Sequence, residues 1–118
     1  MTFHTSCHVV ADREVALRRL GGDEKLFATL IDFFLEDAPA LMTELGHAYD
    51  SGDLESVWRR AHGLKGLSST FEAVTFMYLA AEVESLARTA DLVPLAEAIP
   101  QLKTEFDRLV EHLRVPVA

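Results

Sequence analysis

The sequence predicts an all-α fold, an antiparallel up-down-up-down four-helix bundle with a short additional N-terminal helix. Three observations predict it. Apolar residues recur at steps of three and four through every long segment. No stretch sustains the two-residue alternation of a half-buried strand. The breaks between segments are short, which lays consecutive helices side by side in opposite directions. With 118 residues, 49% hydrophobic and 25% charged, the chain has enough apolar material for one core and too little for two. The bundle is expected over residues 12–114, with a flexible segment at 1–11 and a tail at 115–118.

Asp12 is a candidate N-cap for a short helix over residues 13–20, which stops at Gly21-Gly22. Asp23 caps the next segment, where Leu26, Phe27, Leu30, Ile31, Phe34, Ala38, Leu41, Met42, Leu45 and Tyr49 keep the helical period. Pro39 removes a backbone donor inside that run, so one kinked helix or two abutting ones are expected. Gly52 suits a left-handed closing position and Asp53 the following N-cap. The third long segment places Leu54, Val57, Ala61, Leu64, Ser68 and Phe71 on one face. The fourth does so with Phe76, Leu79, Ala80, Val83, Leu86, Ala87 and Ala90. Asp91 and Pro94 can start the last, whose stripe runs from Leu95 through Leu102 and Phe106 to Leu113, with Pro100 a local distortion.

Charge excludes one class of partner. The formal net charge of −8 repels phosphate backbones, and no basic stripe interleaved with aromatics offsets it, so nucleic acid is not expected. No apolar run approaches the roughly 20 residues that cross a bilayer. The start MTFHTSCHVV lacks the charged beginning and apolar centre of a signal peptide, so no membrane association and a cytoplasmic location are expected. Cys7 has no cysteine to pair with. His4, Cys7 and His8 have a spacing that suits one helix face, but three ligands near a chain end are a weak signal and no metal site is expected.

On the helical wheel, at about 100° per residue, the apolar stripe of the third helix centres near Val57, Ala61 and Leu64, and His62 falls roughly 130° away. His62 is therefore expected to face solvent, with Arg59, Gly63, Gly66 and Ser69 on its side of the helix and Lys65 at the boundary. A neutral imidazole nitrogen is a competent nucleophile near pH 7 and can carry a phosphoryl group covalently. Lys65 could hydrogen-bond the added anion. Glycine inside a helix costs on the order of 1 kcal/mol relative to alanine, so Gly63 and Gly66 beside one histidine call for a cause; a bare backbone that admits a partner and a tetrahedral group supplies one. Arg59 and Arg60 add local positive charge.

The run Ala61-His62-Gly63-Leu64-Lys65-Gly66 resembles the A-H-x-L-K-G motif of histidine-containing phosphotransfer (HPt) domains. The similarity extends to Ala16-Leu17 through Leu20-Gly21-Gly22-Asp23, to Phe34-Leu35-Glu36-Asp37-Ala38-Pro39, to Gly52-Asp53 and to Val83-Glu84, in the family's order. The resemblance implies that His62 accepts a phosphoryl group from a receiver-domain aspartate and passes it to another receiver in a two-component phosphorelay. It implies that Lys65 contacts that group and Gly66 gives it room. It further implies receiver domains and a hybrid histidine kinase as partners, magnesium on the receiver rather than on this chain, no cofactor of the chain's own and no autonomous kinase activity. A monomer is expected. Arg59, Gly63 and Ser69 are candidate docking residues, joined by Phe33, which lies outside the apolar stripe of the second helix and offers a contact for a receiver's hydrophobic surface.

One position departs from the family pattern. Glu72 stands where glycine usually follows the last apolar residue of the histidine helix, and glutamate is disfavoured in a left-handed cap, so the turn is expected to differ or the helix to run on. Two other functions fit parts of the sequence. The phosphoacceptor domain of a chemotaxis-type kinase shares the histidine-lysine-glycine spacing, but no glycine-rich phosphate loop is present to bind ATP. A helical adaptor that is never phosphorylated would keep the bundle and leave the two glycines without a cause.

Overall fold

The structure is a computed structural model, and it describes residues 10–115. Of the segment 1–11 expected to be flexible, Val10 and Ala11 pack against the core, while residues 1–9, with the His4, Cys7 and His8 grouping, and tail residues 116–118 lie outside the described residues. The described chain is all helical, with five helices: α1 (Arg13–Arg19), α2 (Glu24–Asp50), α3 (Leu54–Ser69), α4 (Val74–Arg88) and α5 (Leu92–Arg114).

Local chemistry sets the helix starts. The first amides of a helix have no partner within it, and an aspartate just ahead of the first turn supplies one. Asp12 accepts from the Val15 amide at 3.1 Å, Asp23 from Leu26 at 3.0 Å and Asp53 from Ser56 at 3.1 Å. The Ser56 hydroxyl also donates to Asp53 at 2.7 Å, and the two bonds hold the Asp53 carboxyl below the usual carboxylate range. Asp91 behaves otherwise. It precedes α5 but caps no amide, and instead accepts from the Thr89 hydroxyl at 3.0 Å.

Closure between α2 and α3 uses Gly52 at φ +78°, where its lack of a Cβ lets the Asp53 amide return to the Ala48 carbonyl at 2.9 Å. Neither internal proline ends its helix. Pro39 and Pro100 both face solvent within continuous helices, so of the two expectations for residues 26–49 the single helix holds.

The core is sealed where α3 packs against α2 and α4, and α4 against α5. A chain of ring contacts crosses it: Phe27 meets Phe71 with centroids 6.0 Å apart, Phe71 meets Phe34 at 5.4 Å, Phe34 meets Phe106 at 6.2 Å and Phe106 meets Phe76 at 5.8 Å. Ser68 is fully buried, as its place on the apolar stripe requires, and its hydroxyl is satisfied by the Lys65 carbonyl at 3.1 Å.

α1 fastens the far end. The Arg13 guanidinium donates to the carbonyls of His112 at 2.9 Å and Val115 at 2.7 Å, among the last groups of α5, where helical partners run out. The Asp12 amide donates to the Phe71 carbonyl at 3.1 Å. Beside Arg13, the His112 ring has a buried Nε2 with no hydrogen-bond partner among the described residues. Burial, and then the neighbouring Arg13 charge, hold the His112 imidazolium form below the ordinary histidine range. The unfolded chain takes up this proton at about pH 6.5, the folded chain only at lower pH, so acid favours unfolding. Folding stability should be complete above about pH 6.5 and fall as the pH drops from there through the depressed folded value. Denaturant titrations at about pH 7.5 and about pH 5.5, on either side of the ordinary histidine value, should show a larger loss for the native chain than for His112→Gln; equal losses would contradict this.

Candidate functional site

His62 sits in the middle of α3, with Val57, Ala61 and Leu64 of the same helix fully buried beneath it. Its side chain is 64% exposed, as the wheel requires. The ring is nevertheless held. Nδ1 lies 3.1 Å from Oε2 of Glu84, which projects from α4 and is only 12% exposed. Lys65, one turn after His62, donates from Nζ to the other carboxylate oxygen at 3.1 Å, and Arg88 brings Nε to 3.7 Å from Oε2.

The carboxylate is therefore ionised. Burial alone would raise the Glu84 carboxyl, but the hydrogen bond and charge of Lys65, with the charge and hydrogen bond of His62, outweigh it and hold the group below the usual carboxylate range. An ionised carboxylate can only accept, so the His62–Glu84 bond requires a proton on Nδ1. In the neutral ring the lone pair then belongs to Nε2.

The structure brings His62 and Lys65 together and treats the other expected site residues differently. Gly66 is exposed, and a Cβ built there would meet nothing within 4 Å, so packing within the chain does not demand glycine. Gly63 is half-buried rather than on the open face with His62; a Cβ there would meet Leu41 of α2 at 3.5 Å, an ordinary contact. Arg59 is exposed but paired with Glu55, one turn back, at 2.7 Å. Arg60 reaches across to Glu44 of α2 at 2.7 Å. The free positive charge expected from these two arginines is thus offset locally. The Ser69 hydroxyl is turned back onto the Gly66 carbonyl at 2.7 Å. Phe33 is 57% exposed on α2, as expected. It stands two turns, about 12 Å along the helix axis, from Leu41, which borders Gly63.

Glu72 gives a plain answer on the turn after α3. The helix does not run on: it ends at Ser69, and Glu72 adopts the left-handed conformation at φ +53°. Its carboxylate pairs with Arg19 of α1.

Sequence reasoning places Val83-Glu84 only as framework and misses the part Glu84 plays. A signal was present. Ala80, Val83, Glu84 and Ala87 follow the 0, 3, 4, 7 spacing of a core-facing stripe, and an acid in that register must find partners. Trp58, on the histidine helix, is half-buried and also carries the Arg88 guanidinium 3.9 Å from its ring centroid.

Among the described residues no group of three His, Cys, Asp or Glu side chains could hold a metal ion, and no helix is long and apolar enough to cross a membrane. Comparison with curated proteins gives no match. Among solved structures the chain is similar to histidine-containing phosphotransfer protein B (HptB) from Pseudomonas aeruginosa PAO1, with 26% identity, a TM-score of 0.81 and coverage of 93% of this chain and 94% of that one. The family model described as the Hpt domain matches residues 29–112. With an all-helical fold around an outward histidine, the chain belongs to the Hpt domain family and acts in histidine phosphotransfer within a phosphorelay, in preference to the chemotaxis-kinase and adaptor readings.

Proposed function

We propose that His62 is the phosphoacceptor and that its Nε2 is the atom that carries the phosphoryl group. The observation behind this reading is the 3.1 Å contact of Nδ1 with Glu84, which leaves the other nitrogen as the exposed nucleophile. The donor is an aspartyl phosphate on a receiver domain. The Nε2 lone pair forms the N–P bond as the P–O bond to the aspartate breaks, and the aspartate leaves as a carboxylate with that electron pair. No proton has to move, because Nδ1 keeps its own. The ring becomes cationic, and Glu84 stands beside it as counter-ion. Return transfer runs the same steps backwards.

In this reading Lys65 turns from Glu84 to the phosphoryl oxygens and Gly66 leaves clearance for the group and its donor. Arg59, Gly63, Ser69 and Phe33 border the docking face. The four long helices form the up-down-up-down bundle over residues 12–114, since links as short as residues 51–53 and 89–91 favour antiparallel neighbours. The chain works as a cytoplasmic monomer between a hybrid histidine kinase and receivers, has no cofactor of its own and relies on magnesium held by the receiver.

The test is to mix the purified chain with a phosphorylated receiver domain. Acid-labile, base-stable phosphate should pass to the native chain and not to His62→Gln. Equal labelling of both would overturn the assignment.

A further inference from the structure

The carboxylate of Glu84 has two cations, and one of them is surplus until an anion arrives. Lys65 lies on Oε1, while Arg88 stands at 3.7 Å from Oε2, the oxygen His62 also uses. With the imidazole neutral, two positive charges face one negative charge. The other nearby arginines are not spare, since Arg59 is paired with Glu55 and Arg60 with Glu44. Lys65 cannot serve a phosphoryl group on Nε2 and keep Glu84 fully to itself. When it turns away, the ring is at its most positive and needs Glu84 most, while the carboxylate faces an added dianion.

Resting on the assignment of His62 as phosphoacceptor, we infer that Arg88, supported on the indole of Trp58, is the positioning residue that keeps Glu84 on His62 once Lys65 has moved to the phosphoryl group. The geometry is a rectangle across two helices. Trp58 and His62 are one turn apart on α3, Glu84 and Arg88 one turn apart on α4, and the two cross-pairs are His62 with Glu84 and Trp58 with Arg88. At 3.9 Å from the ring centroid the guanidinium is in cation–π contact, which restrains a side chain that is otherwise 54% exposed. Lys65, Glu84 and Arg88 line one open depression of about 430 Å³, so both cations border the carboxylate from a solvent-accessible side.

The experiment compares native protein, Arg88→Gln, Arg88→Lys and Trp58→Leu, each equilibrated with the same phosphorylated receiver. The readouts are the share of phosphate on His62 and the Nδ1–H resonance of the unphosphorylated ring, with thermal melting alongside. Arg88→Gln should lower the phosphate ratio of this chain to receiver about three- to fivefold, the upper range for a single exposed ion pair. Trp58→Leu should lower it in the same direction, and Arg88→Lys should restore most of it. The resting Nδ1–H signal should persist in all, because Lys65 still holds Glu84. A merely structural role would lower the melting temperature and leave the ratio at the native value, and that result would overturn the inference. Failure of the native chain to take phosphate would instead overturn the assignment of His62.

Discussion

Glu84→Ala should slow phosphoryl transfer to His62 by about ten- to a hundredfold while the chain stays folded. The substitution removes a hydrogen bond to a charged partner, worth about 1.5–3 kcal/mol, and each ~1.36 kcal/mol of lost transition-state stabilisation is a tenfold change in rate. Two effects combine in that loss. Without Glu84 the Nδ1 proton is no longer fixed, so part of the population presents the wrong nitrogen, and the positive charge that grows on the ring has no counter-ion at 3.1 Å. Glu84→Gln separates them. Its amide oxygen can still accept from Nδ1–H but carries no charge, so a rate between alanine and the native chain is expected. Single-turnover transfer from a phosphorylated receiver measures all three; a Glu84→Ala rate equal to native would remove this carboxylate from the chemistry.

Phe34→Ala should have the largest effect on stability, a loss of about 3–5 kcal/mol. Phe34 is 2% exposed and is the ring through which the aromatic chain passes from the α3–α4 turn, at Phe71, towards α5, at Phe106. Truncation leaves a cavity bounded by other rings that cannot all move inward together. Against a typical total of about 5–15 kcal/mol such a loss is severe, so the denaturation midpoint should fall sharply. His62→Gln, which replaces a largely exposed ring and leaves Lys65 and Arg88 beside the Glu84 carboxylate, should unfold close to the native midpoint. Phe34→Ala unfolding at the native midpoint would show that the ring chain is not the keystone of the core.

How much of this was legible in the sequence depends on how local the cause is. The aspartates at positions 12, 23 and 53 cap helices through bonds to amides three residues away, so their pattern could be read directly. The outward direction of His62 follows from its angle to Val57, Ala61 and Leu64 on one helix and was equally readable. The state of the ring was not, because the residue that sets it is 22 positions away on another helix. The same holds for Arg88 on Trp58 and for Arg19 against Glu72, pairs whose members sit on different elements. The local charge of Arg59 and Arg60 is offset in two ways: Glu55 stands one turn back from Arg59 on the same helix, a pairing readable from the i, i+4 spacing, whereas Glu44 reaches Arg60 only because α2 packs on α3.

A common logic links these contacts. A solvent-facing histidine can react but has no preferred nitrogen, and a buried one has a fixed tautomer but no access. In this protein the ring stays open to a partner on one edge while a nearly buried carboxylate grips the other, and that carboxylate is held ionised by Lys65 and by the ring itself, with Arg88 3.7 Å away.

The most direct measurement is phosphorus–nitrogen correlation NMR on the chain, isotopically labelled at its histidine nitrogens and phosphorylated by a receiver domain. Phosphorus coupled to Nε2 of His62, with the proton retained on Nδ1, is the expected result. Phosphorus on Nδ1, or on a histidine other than His62, would contradict both the orienting role of Glu84 and the choice of nucleophile built on it.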